Sequence, residues 1–183
     1  MLQPAPGVLL VAEPFMADPN FARTVVILVE HSPQGTLGIV LNRPAPVRVR
    51  EVTDFFGEIS HPLYLGGPVE RKVLHALHSL PPLEPQSQKI LPKVYWTADM
   101  RAIRGILAAR DIPDTHLRFY AGYAGWAPGQ LDRELAFHSW ILAPARPEYI
   151  FTSDPSDLWA RVLRDMGGKY ALIATFPPDP RLN

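Results

Sequence analysis

The sequence predicts an α+β fold. We expect one domain over residues 1–183, with a mainly antiparallel or mixed, barrel-like β-sheet and about three flanking helices. Three observations predict this. Short runs rich in β-branched residues recur along the chain, helical periodicity is confined to a few segments, and most connections are of hairpin length.

The strand candidates are VLLVA at 8–12, TVVILVE at 24–30 and TLGIVLN at 36–42, the last two joined by the turn HSPQG at 31–35. PLYLG at 62–66, VLHALHSL at 73–80 and VYWT at 94–97 follow. In HLRFYAGY at 116–123, Leu117, Phe119 and Ala121 alternate with His116, Arg118 and Tyr120, the period of a half-buried strand. WILAP at 140–144 and YALIATF at 170–176 complete the set. The stretch 81–92, PPLEPQSQKILP, reads as an exposed loop.

A helix over 155–166 is capped by Asp154, starts on Pro155 and stops at Gly167. Its apolar face is Leu158, Trp159, Val162, Leu163 and Met166. A second, over about 99–110, buries Met100, Ile103 and Leu107, and a third begins near Pro128 and presents Leu131 and Leu135. Asp18-Pro19 suggests one helical turn, and 52–59 a further short helix.

Lys+Arg and Asp+Glu both number 18, so no net field collects nucleic acid or an anionic membrane. With no cysteine, thiol nucleophiles, disulfides and cysteine-bound metals are excluded. The N-terminus lacks a basic leader pattern, and no apolar run approaches the roughly 20 residues of a membrane helix. The expected location is cytoplasmic.

Chemistry is sparse. His75 and His78 lie on a predicted strand, where odd spacing sends them to opposite faces, and no HExxH or two-histidine, one-carboxylate set is present. No metal or cofactor is expected. There is no GxSxG elbow, phosphate loop or dinucleotide fingerprint. RPAPVRVR at 43–50, with Arg101 and Arg104, offers a basic strip, but the balanced charge favours solvated arginines with acidic neighbours such as Glu51 and Asp54.

Several ordered motifs stand out. E-H-S-x-x-G-x-x-G-x-x-x-N-R-P runs from Glu30 to Pro44, L-G-G-P-V from Leu65 to Val69, and G-Y-A-G-W-x-P-G-Q-L-x-x-E from Gly122 to Glu134, with DPNFARTVV upstream. Together they resemble the AlgH/YqgE family (UPF0301, DUF179) over nearly the whole chain. The resemblance implies a compact bacterial α+β protein with no established catalytic residues to carry over. It brings the label of a transcriptional regulator for AlgH, and a RuvC-like nuclease as a partner, suggested by gene neighbourhood.

Read physically, Gly35 and Gly38 bracket the hairpin turn. Asn42 fixes the chain's departure before Arg43-Pro44, or holds a polar ligand. Gly66-Gly67-Pro68 offers backbone N–H groups to an anion. His31, Asn42, Arg43, Gly66 and Gly67 are therefore the expected lining of one groove, with Tyr123 and Trp126 as its wall. The competing and preferred reading of AGYAGWAPGQL is a packing corner, with Trp126 covering a bend at Gly122 and Gly125. The functional expectation is a non-enzymatic binding or regulatory protein acting through protein contacts or a small polar ligand. An enzyme acting on a nucleotide or phosphate ester is the alternative, and a DNA-binding regulator the third reading. Oligomeric state is left open.

Overall fold

The computed structural model describes residues 2–81, 83 and 86–178. Among these, the strands are β1 (Val8–Ala12), β2 (Val25–Ser32), β3 (Gly35–Val40), β4 (Pro44–Arg48), β5 (Pro62–Leu65), β6 (Val69–His78), β7 (Gln88–Leu91), β8 (Val94–Thr97), β9 (Leu117–Trp126) and β10 (Trp140–Pro144). The helices are α1 (Val49–Val52), α2 (Met100–Ala109), α3 (Gln130–Ala136), α4 (Pro147–Ile150), α5 (Leu158–Met166) and α6 (Gly168–Ile173).

The strands hydrogen-bond in the order β10-β1-β2-β3-β9-β6-β8-β7, with β4 on β5 and β5 on β9. Every pairing is antiparallel except β5 with β9. The α+β expectation and the mixed sheet are as read. The sheet curls, so that Gln88 Nε2 reaches the Val29 carbonyl at 2.9 Å, but the ladder stays open with β10 and β7 at its ends.

β9 organises the molecule. Leu117, Phe119 and Ala121 join a core with Val49, Phe56, Leu63 and Ile103 under α1 and α2. Tyr120 faces a second core with Leu9, Ile27, Ile39 and the α5 residues Leu158, Trp159, Val162 and Leu163. Ala124 and Trp126, beyond the bend at Gly122, enter a third with Val26, Leu131 and Trp140. The strand is therefore buried on both faces, not half-buried. Arg118, only 3% exposed, spends Nη2 on the Thr152 carbonyl and Nε on that of Asp114 at 3.4 Å.

Several expectations are corrected. Residues 170–176 do not form a strand: α6 covers Gly168–Ile173, because Ala171 and Leu172 favour a helix and the segment packs against α5 and its core. The 81–92 loop contains β7, which hairpins onto β8. The helix expected at 52–59 is instead α1, four residues ending at Val52. Its start is fixed by the Arg48 N–H donating to Glu51 Oε2 at 2.6 Å, and Thr53 leaves in extended conformation. α5 begins at Leu158, three residues later than expected, because Asp154 Oδ1 accepts the Asp157 N–H at 3.3 Å in a turn that precedes it. α2 matches its prediction, with Asp99 accepting from the Arg101 and Ala102 N–H groups at 3.0 and 3.2 Å.

Candidate functional site

The glycine motifs meet each other. Gly66 donates its N–H to the Ala121 carbonyl and accepts from the Val40 N–H, both at 2.8 Å. A Cβ on Gly66 would sit 2.3 Å from the Gly122 carbonyl oxygen, and one on Gly67 would sit 2.1 Å from Tyr123 backbone atoms. LGGPV and GYAGW are thus two halves of one backbone-on-backbone crossing. The Gly66 N–H that was expected to serve an anion is used inside it.

GWAPGQLxxE is a single hydrogen-bonded unit. Trp126 is 5% exposed, and its Nε1 donates to Glu134 Oε2 at 2.8 Å. Trp140 Nε1 donates to the same oxygen at 2.7 Å, and Gln130 Nε2 donates to Oε1 at 2.8 Å. Gln130 Oε1 in turn accepts the Ala127 N–H at 3.0 Å. The carboxylate is satisfied by neutral donors, which lets two indoles pack at the start of α3. Gly38 leaves the space: a Cβ there would meet the Trp126 ring at 3.3 Å.

The remaining predicted residues divide. Asn42 is buried, accepts the Val25 N–H on Oδ1 and donates from Nδ2 to the Arg23 carbonyl, both at 2.9 Å. Its amide locks the chain. Arg43 donates to the Ala22 carbonyl. His31 Nδ1 lies 2.7 Å from Thr36 Oγ1, its directly opposed partner across the β2–β3 hairpin.

These residues do not line one groove. His31 borders a 510 Å³ depression with Thr36, Gly129 and Asp132. Tyr123 and Trp126 border a neighbouring 440 Å³ depression. Arg43 and Gly67 border a third, of 140 Å³.

A concavity of about 950 Å³ was not anticipated. It follows β10, with Leu135 and His138 from the α3 side, Leu2 from the N-terminal segment and Tyr170 and Ile173 from α6. Trp140, Ile141 and Leu142 all line it, although consecutive strand residues point to opposite faces. It therefore runs along the strand's edge. Phe137, 82% exposed, and Leu172, 64% exposed, adjoin lining residues. The sequence held two signals, a proline closing WILAP and a phenylalanine just past the end of α3.

Titratable groups in the interior are mostly neutral-leaning. Burial lowers the His78 pKa to about 4, and lowers those of His75 and His61. His75 stacks on Trp96 and His78 on Tyr95, so the two histidines have separate surroundings. Among the described residues no group of three metal-binding side chains converges, and no helix is long and apolar enough to cross a membrane. Arg48, expected to pair with acids, has its guanidinium on the Ser60 carbonyl, and Arg104 lies 4.8 Å over the Phe55 ring.

The family model DUF179, described as AlgH-like, matches residues 9–171. The chain belongs to this family. A UPF0301 protein of Chlorobium luteolum is 41% identical over 179 residues, covering 98% of this chain and 95% of that protein. One from Chlorobaculum tepidum is 36% identical, covering 97% and 95%. The crystal structure of a Corynebacterium diphtheriae protein superposes with a TM-score of 0.81 at 29% identity, covering 96% of this chain and 94% of that one. The solution structure of the AlgH protein of Pseudomonas aeruginosa gives 0.74 at 30% identity, covering 97% and 98%. The AlgH-like match spans all three motif regions, including the glycine crossing and the Glu134 unit.

Proposed function

We propose that this AlgH-like protein works through protein contacts, binding an extended segment of a partner along the free edge of β10. The observation that carries this is the backbone direction at that edge. Ala12 donates its N–H to Thr24, away from β10, so the opposed pairs Ala12–Trp140 and Leu10–Leu142 are the non-bonded ones. The N–H and C=O groups of Trp140 and Leu142 therefore point into the 950 Å³ groove, where an added strand would pair with them. Exposed Leu2 lines the groove, and exposed Phe137 and Leu172 are chain neighbours of its lining residues His138 and Ile173, apolar surface of the kind that partners cover. Lining charges of both signs, Glu13, Asp132 and Lys169, favour a segment that is apolar and uncharged at its centre.

The alternative of an enzyme finds weaker support. Hydroxyl–imidazole pairs at Thr36–His31, Ser87–His78 and Ser79–His116 resemble a nucleophile and its base, and the first of them, which borders a depression, is a cross-strand pair whose threonine is 9% exposed. Such pairs are ordinary sheet stabilisation.

The purified RuvC-like nuclease expected from the family resemblance is the first partner to test. Binding should protect the Trp140 and Leu142 amides from hydrogen exchange. Both Leu142→Pro, which deletes one edge donor, and Phe137→Asp should weaken it about tenfold or more. Protection confined to another face, or unchanged affinity in both variants, would remove this reading.

A further inference from the structure

A second site lies apart from the groove and shares no lining residue with it. The 140 Å³ depression at the ends of β3 and β5 is bordered by Asn20, Val40, Arg43, Gly67, Pro68 and Arg71. We infer that it binds a single phosphate group, carried by a phosphomonoester or free in solution.

Arg43 and Arg71 both line it, and no carboxylate does. The ion pairs found among the described residues are Arg146–Asp165 and Arg164–Asp157, so neither Arg43 nor Arg71 is neutralised by a neighbour. Asp18, just before the rim, has Oδ1 turned onto the Asn20 backbone N–H at 2.9 Å and side-chain amide at 3.1 Å. Like charges brought into one small concavity repel, and a bound oxyanion reverses that repulsion.

The arginines are also held. One Arg43 Nη donates to the Ala22 carbonyl, which fixes the plane of the guanidinium while its other donors stay free of partners among the described residues. Arg71 Nη2 is 3.5 Å from Asn20 Oδ1. Pro19 and Pro68 stiffen the walls, and buried Val40 forms part of the floor. The planar fork of a guanidinium suits a tetrahedral oxyanion better than a point charge does.

Size selects the class of ligand. Pockets that enclose a whole small molecule run to about 300–1,000 Å³. At 140 Å³ this one takes a charged group and leaves the remainder of any ester outside.

The test is a titration of the full chain with inorganic phosphate, followed by backbone amide NMR. Ribose 5-phosphate and adenosine monophosphate form parallel arms. Saturable shifts centred on Asn20, Gly67 and Arg71 are expected, falling in affinity as salt rises. Arg71→Gln should weaken binding about tenfold or more, whereas Arg104→Gln, outside this depression, should not. Tighter binding of an ester than of phosphate identifies an ester as the ligand, and equal or weaker binding identifies phosphate itself. Absence of saturable shifts in all three arms, or an unchanged affinity in Arg71→Gln, overturns the inference. Arg71 is exposed and outside the cores, so its substitution leaves the fold to carry the measurement.

Discussion

A Cβ placed on Gly122 would lie 2.7 Å from the carbonyl oxygen of Gly67, and Gly122 itself sits at φ +73°. Two costs therefore combine in Gly122→Ala. The left-handed backbone penalises any side chain by about 1–2 kcal/mol, and the new methyl strikes backbone on the crossing strand. We expect a loss of about 2 kcal/mol or more, read as a lower denaturation midpoint. Gly105→Ala is the internal control. It lies within α2 with open space around its Cβ position, so it should gain about 0.5–1 kcal/mol. Equal effects of the two substitutions would refute the crossing.

That crossing also shows what the sequence could and could not reveal. WILAP and VLLVA are strands at the residues where short apolar runs place them. Gly66, Gly67 and Gly122 are conspicuous individually, but nothing in their spacing says that they press on one another across more than fifty residues. Asn42 and Trp126 illustrate the same limit at the candidate site. Their residue types suit ligand contact and backbone locking equally, and only the partners Val25, Arg23 and Glu134 decide between these uses. β7 escaped because Lys89 and Gln88 occupy an edge strand, whose outward positions tolerate polar residues. α6 was misread because Leu, Ile and Ala in a short apolar run suit either element, and tertiary contact with α5 settled it.

Trp126 tests the packing corner directly. Trp126→Ala should cost about 3–5 kcal/mol through the cavity left among Phe21, Leu131 and Trp140. Trp126→Phe keeps most of the ring but removes the N–H to Glu134, so it should cost about 1 kcal/mol beyond the lost volume. Denaturant melts of both variants check the order. A Trp126→Ala midpoint equal to wild type would return the ring to the role of a ligand wall.

Buried histidines set the acid side of stability. His78 has no exposed surface, its Nε2 lies 2.8 Å from Ser87 Oγ, and its pKa is lowered from 6.5 to about 4 by burial. The unfolded chain therefore binds this proton first as pH falls. The stabilisation is complete above about 6.5 and is lost progressively down to about 4, an effect of up to about 3 kcal/mol. His75 and His61 shift in the same direction and add to the slope. Urea melts at pH 7 and pH 5 should show a marked fall for wild type and a smaller one for His78→Gln. Parallel falls in the two proteins would assign the slope to other groups.

The edge of β10 yields a paired test that needs no partner. Ile141 is opposed to Val11 in a hydrogen-bonded position, whereas Leu142 points its N–H away from β1. Proline at Leu142 deletes a donor that the sheet does not use, much as Pro144 already does at the next outward position. Proline at Ile141 breaks the ladder and strands a Val11 carbonyl. Relative to one another, Ile141→Pro should be the more destabilising by about 1–3 kcal/mol, while Leu142→Pro should stay close to wild type apart from its smaller side chain. Two-residue alternation is the whole basis of the difference, because a ladder shifted by one residue would invert it. Thermal or denaturant melts of the two variants measure it. If Leu142→Pro proves the worse of the pair, β10 does not present the backbone on which strand addition depends, and the groove loses its claim to an extended partner.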